Sequence, residues 1–309
     1  MPQPCAARSN WRASGPEPLA ALRWDHDGRD WPNRAASRFV AVGRLRWHVQ
    51  VVGSGPAILL LHGTGASTHS WRDLVTPLAE RFTVVAPDLP GHGFTAGRLP
   101  GGPSLPNIAA ATSELLAALG IEPALIVGHS AGAAIALELA QSMRVPVVGL
   151  SPALMPFPGL AARLFPALAK VLFVNPFVPS IFARMARGSG ETGRFLLRAT
   201  NSRIDAAGLR CYEVLLGNSE HCAGALAMMA SWDLEGLKVQ LPAMDLPVLL
   251  AHGTRDNAIP LDSVRAAAAL LPQCKLELLE GLGHLAHEEE PQRAIKLIID
   301  FAARQAAGG

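Results

Sequence analysis

The chain reads as an α/β protein: a mostly parallel, doubly wound sheet carrying a helical cap or lid insertion. Three observations predict this. Short apolar runs recur without polar alternation, helical spacings separate them, and a long segment between residues 150 and 247 interrupts the rhythm. The 309 residues are enough to bury a large core around one such sheet. With 50% hydrophobic and 17% charged residues, the composition excludes a disordered chain. The net charge is +2 and the basic residues are scattered, so a nucleic-acid partner is not expected.

Residues 1–33 hold many Pro, Gly, Arg and Trp without a period, and read as an irregular N-terminal arm. Arg38 to Val52 alternates apolar and polar about Gly43, which predicts a hairpin. Ala57–Leu61 is apolar throughout and stops at His62-Gly63, as a strand buried on both faces does. Helical spacing follows at Trp71, Leu74, Leu78 and Ala79. Phe82–Ala86 is a second buried strand, Ile108–Leu119 a helix, and Ala124–Val127 a third strand. Ala131–Gln141 is a small-residue helix. Val145–Gly149, Val248–Ala251 and Lys275–Leu279 are further strands, and Pro291–Ala303 is a closing helix. The core is thus expected at 34–152 and 240–309, with the cap or lid at 153–239.

Gly128-His-Ser-Ala-Gly132 fits Gly-x-Ser-x-Gly, directly after a buried strand and directly before a helix. That context defines the strained nucleophile elbow of the α/β-hydrolase fold, with Ser130 at its tip. The flanking glycines avoid Cβ clashes in the sharp turn, and the helix start aims its N–H groups at the site. A serine hydroxyl needs a base, and in this fold the partners follow in the order Ser, Asp/Glu, His. Asp256 lies just past one buried strand and His284 past the last, which makes them the acid and the base. His287 competes for the base role but falls at a Glu-rich helix start. Asp262 suits a helix start, and Asp88 a turn. An oxyanion needs two backbone donors. Ala131, after the nucleophile, supplies one. Thr64 in His62-Gly-Thr-Gly65 supplies the other, with Gly63 and Gly65 as alternatives.

Phe157, Leu160, Leu164, Phe165, Leu168, Val171, Leu172 and Phe173 recur at near-helical spacing in the lid. Core packing, an apolar ligand pocket and contact with a membrane surface all fit this stripe, and Arg163, Lys170 and Arg184 suit the last. Met228, Met229 and Trp232 suit a pocket wall or core. Neither a cofactor nor a metal is expected, because Cys5, Cys211, Cys222 and Cys274 lack metal-binding spacing. They read as free thiols of a reducing compartment. No secretory signal opens the chain, and Val145–Ala162, its longest uncharged run, holds four prolines. The expected location is therefore the cytoplasm.

Several stretches are more particular than the fold requires. Leu45–Gln50, His62-Gly-Thr-Gly-Ala-Ser-Thr-His-Ser-Trp-Arg72, Val85–Thr95, Gly128–Ile135 and Met228–Leu234 together resemble the magnesium-chelatase accessory proteins of bacteriochlorophyll biosynthesis. The resemblance runs from about Asp30 to the end and implies a role near magnesium insertion into protoporphyrin. It implies magnesium chelatase as a partner, and the apolar lid suits a tetrapyrrole or other apolar small molecule as substrate and a peripheral place at the photosynthetic membrane. Two functions fit: a serine hydrolase acting on an ester or related acyl substrate, and a non-catalytic accessory protein binding porphyrin or chelatase through its lid. Perhydrolysis and carbon–carbon hydrolysis use the same triad, whereas dehalogenases and epoxide hydrolases need a carboxylate where Ser130 stands. A fold alone does not choose among them.

Overall fold

Apolar runs pair into one sheet, and the helices between them cover its two faces. The computed structural model describes residues 21–156, 177–186 and 190–308. Trp24–Asp27 (α1) leads to the hairpin of Ser37–Val42 (β1) and Leu45–Val52 (β2), which turns at Gly43 with φ +57°. Then follow Ala57–Leu61 (β3), Arg72–Ala79 (α2), Thr83–Pro87 (β4), the two-residue Ala96–Gly97 (β5) and Leu105–Leu119 (α3). Pro123–His129 (β6), Ala131–Met143 (α4) and Val147–Leu150 (β7) complete the first half. The described part of the next segment is helical: Val178–Ala186 (α5), Glu191–Thr200 (α6), Ala206–Leu216 (α7), Ser219–Ala230 (α8) and Glu235–Gln240 (α9). Val248–Gly253 (β8), Leu261–Leu270 (α10), Cys274–Leu279 (β9), Ala286–Glu289 (α11) and Pro291–Gly308 (α12) end the chain.

The sheet order is β1-β2-β4-β3-β6-β7-β8-β9, with β5 beside β2. From β4 to β9 every pair is parallel, and β2 joins β4 antiparallel. Because side chains alternate along a strand, β3 sends Leu59 and Leu61 to one face and Ile58 and Leu60 to the other. The first pair packs with Ile108 of α3 and Ile135 of α4, the second with Leu74 of α2 and Ile298 of α12. All four leucines and isoleucines of β3 are fully buried, each stabilising the fold by roughly 1.5–3 kcal/mol. This two-sided burial is why the strand carries no polar alternation.

The chain leaves β3 toward β4 and later returns past β3 to β6. The sheet therefore switches direction between β3 and β6, and the loops after these two strands open a crevice, where open α/β sheets place their ligands. Leu61 at the end of β3 lies opposite Gly128 of β6, which sets the two loops side by side.

Within the arm 1–33, the described residues are turns and coil around α1, and their tryptophans are packed against the core. Trp31 is buried and its Nε1–H donates to Thr68 Oγ1 at 3.0 Å, while Trp24 and Trp31 both meet Phe94 edge-on at 4.9 Å. Arg34 stacks over the Trp24 ring at 4.2 Å. These aromatic contacts are long-range in sequence, so the arm shows no local period.

The apolar stripe Phe157–Phe173, with Arg163 and Lys170, lies outside the described residues. Just beyond it, Phe177, Ile181 and Met185 are all more than half exposed at four-residue spacing. Met228 is fully buried, Trp232 packs partly buried against the core, and Met229 is exposed. No described helix is long and apolar enough to cross a membrane. Cys211, Cys222 and Cys274 carry free thiols.

Candidate active site

Ser130 sits between β6 and α4 with φ +53° and ψ −118°, a conformation costing a non-glycine residue about 1–3 kcal/mol. Backbone bonds hold it there: its N–H donates to Leu150 O of β7, and its carbonyl accepts from Ala133 and Ala153. A Cβ at position 132 would lie 2.1 Å from Leu61 O, and one at 128 would lie 2.3 Å from Gly132 O. Both glycines of the motif are therefore sterically required. A Cβ on Gly63 would meet Ser130 Cβ at 3.0 Å, so the loop after β3 lies directly against the serine.

That loop is pinned by His62, whose Nδ1–H donates to Gly63 O at 2.8 Å while Nε2 accepts from Leu89 N–H at 2.9 Å. These bonds fix the neutral tautomer, and burial pushes its pKa down. Among the described residues, neither the Thr64 N–H nor the Ala131 N–H donates to another protein group. The two amides expected from sequence are thus both unengaged beside Ser130.

Asp256 and His284 come together as well. His284 Nδ1–H donates to Asp256 Oδ2 at 2.7 Å, and the Asp256 side chain is fully buried. Asp256 Oδ1 accepts from the N–H groups of Ala258 and Ile259 at 2.7 and 2.9 Å, which fixes the carboxylate plane. His284 Nε2 is left as the side that can take a proton. The link to the elbow runs through His129, the residue before the serine. His129 Nε2–H donates to His284 O at 3.0 Å, and the two rings lie 4.8 Å apart. Among the described residues no side-chain hydrogen bond joins Ser130 to His284. Such contacts are often long without substrate and tighten in the reacting complex.

The alternatives fall elsewhere. His287 is buried and donates through Nε2 to Ser70 Oγ at 2.9 Å; burial and the Arg72 charge push its pKa down to about 3. Asp262 is on the surface in the first turn of α10, accepting from Arg265. Asp88 is fully buried, where it accepts from His48 Nδ1–H and from the N–H groups of Thr68 and Phe94. The His48 partner and these donors outweigh desolvation and hold its carboxyl far below the usual range. It stitches β2 to the loops after β3 and β4.

Several positioning groups have no sequence signature. Thr200 O accepts from His284 N–H at 2.9 Å, Ser202 Oγ accepts from Leu285 N–H at 2.8 Å, and Asn201 Nδ2 donates to Arg255 O at 2.9 Å. The turn after α6 thus grips the Asp256 and His284 loops together. Beneath them Glu288, wholly buried, accepts from Arg72, Ser70 and Tyr212 at 2.6, 2.7 and 2.8 Å. Arg72 also reaches Asp205 at the start of α7, and a Cβ on Gly208 would strike its guanidinium at 2.7 Å.

A strained serine on a strand-to-helix turn, two free amides and a carboxylate-oriented imidazole form a constellation suited to acyl transfer. The chain belongs to the alpha/beta hydrolase family, whose model matches residues 58–297. More narrowly, it belongs with the magnesium-chelatase 30 kDa subunit of Rhodobacter capsulatus, to which it is 40% identical over 88% of its own length and 96% of that protein. It is also 31% identical to a pimeloyl-[acyl-carrier protein] methyl ester esterase of Xanthomonas oryzae, over 82% of this chain and 98% of that one. Among solved structures, a thermophilic esterase from Thermogutta terrifontis has the same fold, with a TM-score of 0.68 and 22% identity over 86% of this chain and 98% of that one.

Proposed function

We propose that the protein is a serine hydrolase acting on an apolar ester or related acyl substrate at or near the magnesium-chelatase step of bacteriochlorophyll synthesis. The observation that carries this reading is the 2.7 Å His284–Asp256 pair set beside a strained Ser130. In it, Ser130 Oγ attacks the acyl carbon and His284 Nε2 takes the hydroxyl proton. Asp256 steadies the imidazolium, and the N–H groups of Thr64 and Ala131 receive the oxyanion. His284 then returns the proton to the leaving alcohol, and water repeats the cycle on the acyl-enzyme. The pigment context rests on the Rhodobacter relative, and the ester on the site and the Xanthomonas relative. A tetrapyrrole ester satisfies both.

The second reading, an accessory protein binding porphyrin or chelatase without turnover, draws on the exposed Phe177, Ile181 and Met185, which also suit peripheral contact with the photosynthetic membrane. One pair of measurements separates the two. Purified protein is expected to hydrolyse aryl esters and porphyrin methyl esters. Ser130→Ala is expected to do neither, and to leave pigment synthesis unrestored in a bacteriochlorophyll-making strain that lacks its own homologue. No ester hydrolysis, together with full pigment in the Ser130→Ala strain, sinks the hydrolase reading in favour of the accessory one.

A further inference from the structure

Helix α8 touches the loop that carries the Thr64 amide at two points on one face. His221 is buried, and its Nδ1 accepts from Gly93 N–H at 3.1 Å. That bond leaves the proton on Nε2, which donates to Gly65 O at 3.1 Å. Burial pushes the His221 pKa down to about 4, so the ring keeps this neutral form at pH 7. Seven residues on, Met228 Sδ accepts from Thr64 Oγ1 at 3.5 Å. Between them Gly224 lies so close to Gly91 that a Cβ would fall 1.8 Å from its carbonyl oxygen. The helix is therefore seated on the loops after both β3 and β4 with no room to shift. Gly65 itself stands at φ +78°, and the peptide after it is tied to the Thr64 amide: Ala66 N–H donates to Gly63 O at 3.2 Å, the carbonyl of the peptide that carries the Thr64 N–H.

We infer that His221 is a positioning residue for the oxyanion hole: by holding the Gly65 carbonyl from the side of α8, it fixes the Gly65–Ala66 peptide, whose N–H grips Gly63 O, and so aims the Thr64 N–H of the Gly63–Thr64 peptide at the position the oxyanion occupies beside Ser130. This rests on the hydrolase reading above and deepens it. It also makes α8 part of the active site's frame, fixed during turnover.

Two substitutions separate the two bonds of the imidazole. His221→Gln places an amide N–H where Nε2 stands and keeps the donor to Gly65. His221→Asn reaches only the Nδ1 position and keeps the acceptor for Gly93. The readout is the second-order rate of fluorophosphonate labelling, with kcat and KM on an aryl ester and the melting temperature measured alongside. Misaiming one catalytic group costs on the order of 100-fold. His221→Asn is accordingly expected to label and turn over about 100-fold more slowly with KM unchanged, and His221→Gln to stay within about threefold of wild type. Equal rates for wild type and His221→Asn at matched melting temperatures overturn the inference, as do equal losses in both variants. A wild-type protein that does not label overturns the hydrolase reading itself, which a difference between variants cannot do.

Discussion

His284→Ala is expected to slow ester turnover by about 10⁶-fold, and Asp256→Asn by about 10⁴-fold, the ratio seen when the base and its orienting acid are removed from serine hydrolases. The difference follows from geometry. Without the imidazole, no group takes the Ser130 proton. His287 cannot substitute, because its Nε2–H is committed to Ser70 and its pKa is down at about 3. Without the Asp256 charge the imidazole remains, but the amide that replaces the carboxylate is held by the Ala258 and Ile259 N–H groups, which keep its oxygen at the Oδ1 position. Its NH₂ then faces His284 Nδ1 and favours the tautomer with the proton on Nε2, which cannot accept from the serine. Single-turnover rates for the two variants and for His287→Ala check this. If His287→Ala is the inactive variant and His284→Ala is not, the base is the wrong histidine.

Moving from pH 7.5 to pH 5 is expected to cost the fold several kcal/mol of stability, roughly 4 from His221 and His287 alone. His69, His92, His129, His221 and His287 are all buried and neutral, and desolvation leads the causes holding each pKa below the ordinary 6.5. His221 is down at about 4 and His287 at about 3. Between 6.5 and those values the unfolded chain binds protons that the folded one refuses, so stability is full above pH 6.5 and declines as pH falls. His221 and His287 each lose about 1.4 kcal/mol per pH unit, or roughly 2 kcal/mol by pH 5 and about 4 kcal/mol together, and His69, His92 and His129 act in the same direction. That is a large share of the roughly 5–15 kcal/mol typical of whole domains. Glu288 and Glu138 work in the opposite direction, because burial raises their carboxyl pKa values, while His62 and His252 add to the imidazole side. Urea midpoints by circular dichroism should fall progressively as pH drops below 6.5, and be markedly lower at pH 5 than at pH 7.5. Equal midpoints at pH 7.5 and pH 5 would mean that the buried imidazoles are protonated in the fold or that water reaches them.

The parts of this site that sequence exposes are those coupled to regular structure. Ser130 and Asp256 each follow a buried strand, Ala124–Val127 and Val248–Ala251, which announces itself by lacking alternation, while His284 follows the half-buried, partly alternating Lys275–Leu279. The strand ends therefore locate the loops, and the chain order assigns the residues. Strand bounds shift by a residue or two because hydrogen bonding continues past the apolar run, as from Val127 to His129. The frame around the site stays hidden for a physical reason. Arg72 meets Asp205 and Glu288, and Gly65 meets His221, across more than a hundred residues. A single polar side chain on a helix has no period to betray its partner. His221 could be a solvated residue on any helix until α8 is seated on Gly91. Trp24 and Trp31 hide likewise, since their order comes from Phe94 and Thr68 in a loop far along the chain.

The most direct test of an activated Ser130 is chemical. Incubation with an alkyl fluorophosphonate at pH 7.5, followed by peptide mass spectrometry, is expected to find one phosphonyl group per chain, on Ser130, and none after His284→Ala. No adduct on the folded protein, or an adduct on another serine with Ser130 intact, contradicts the account.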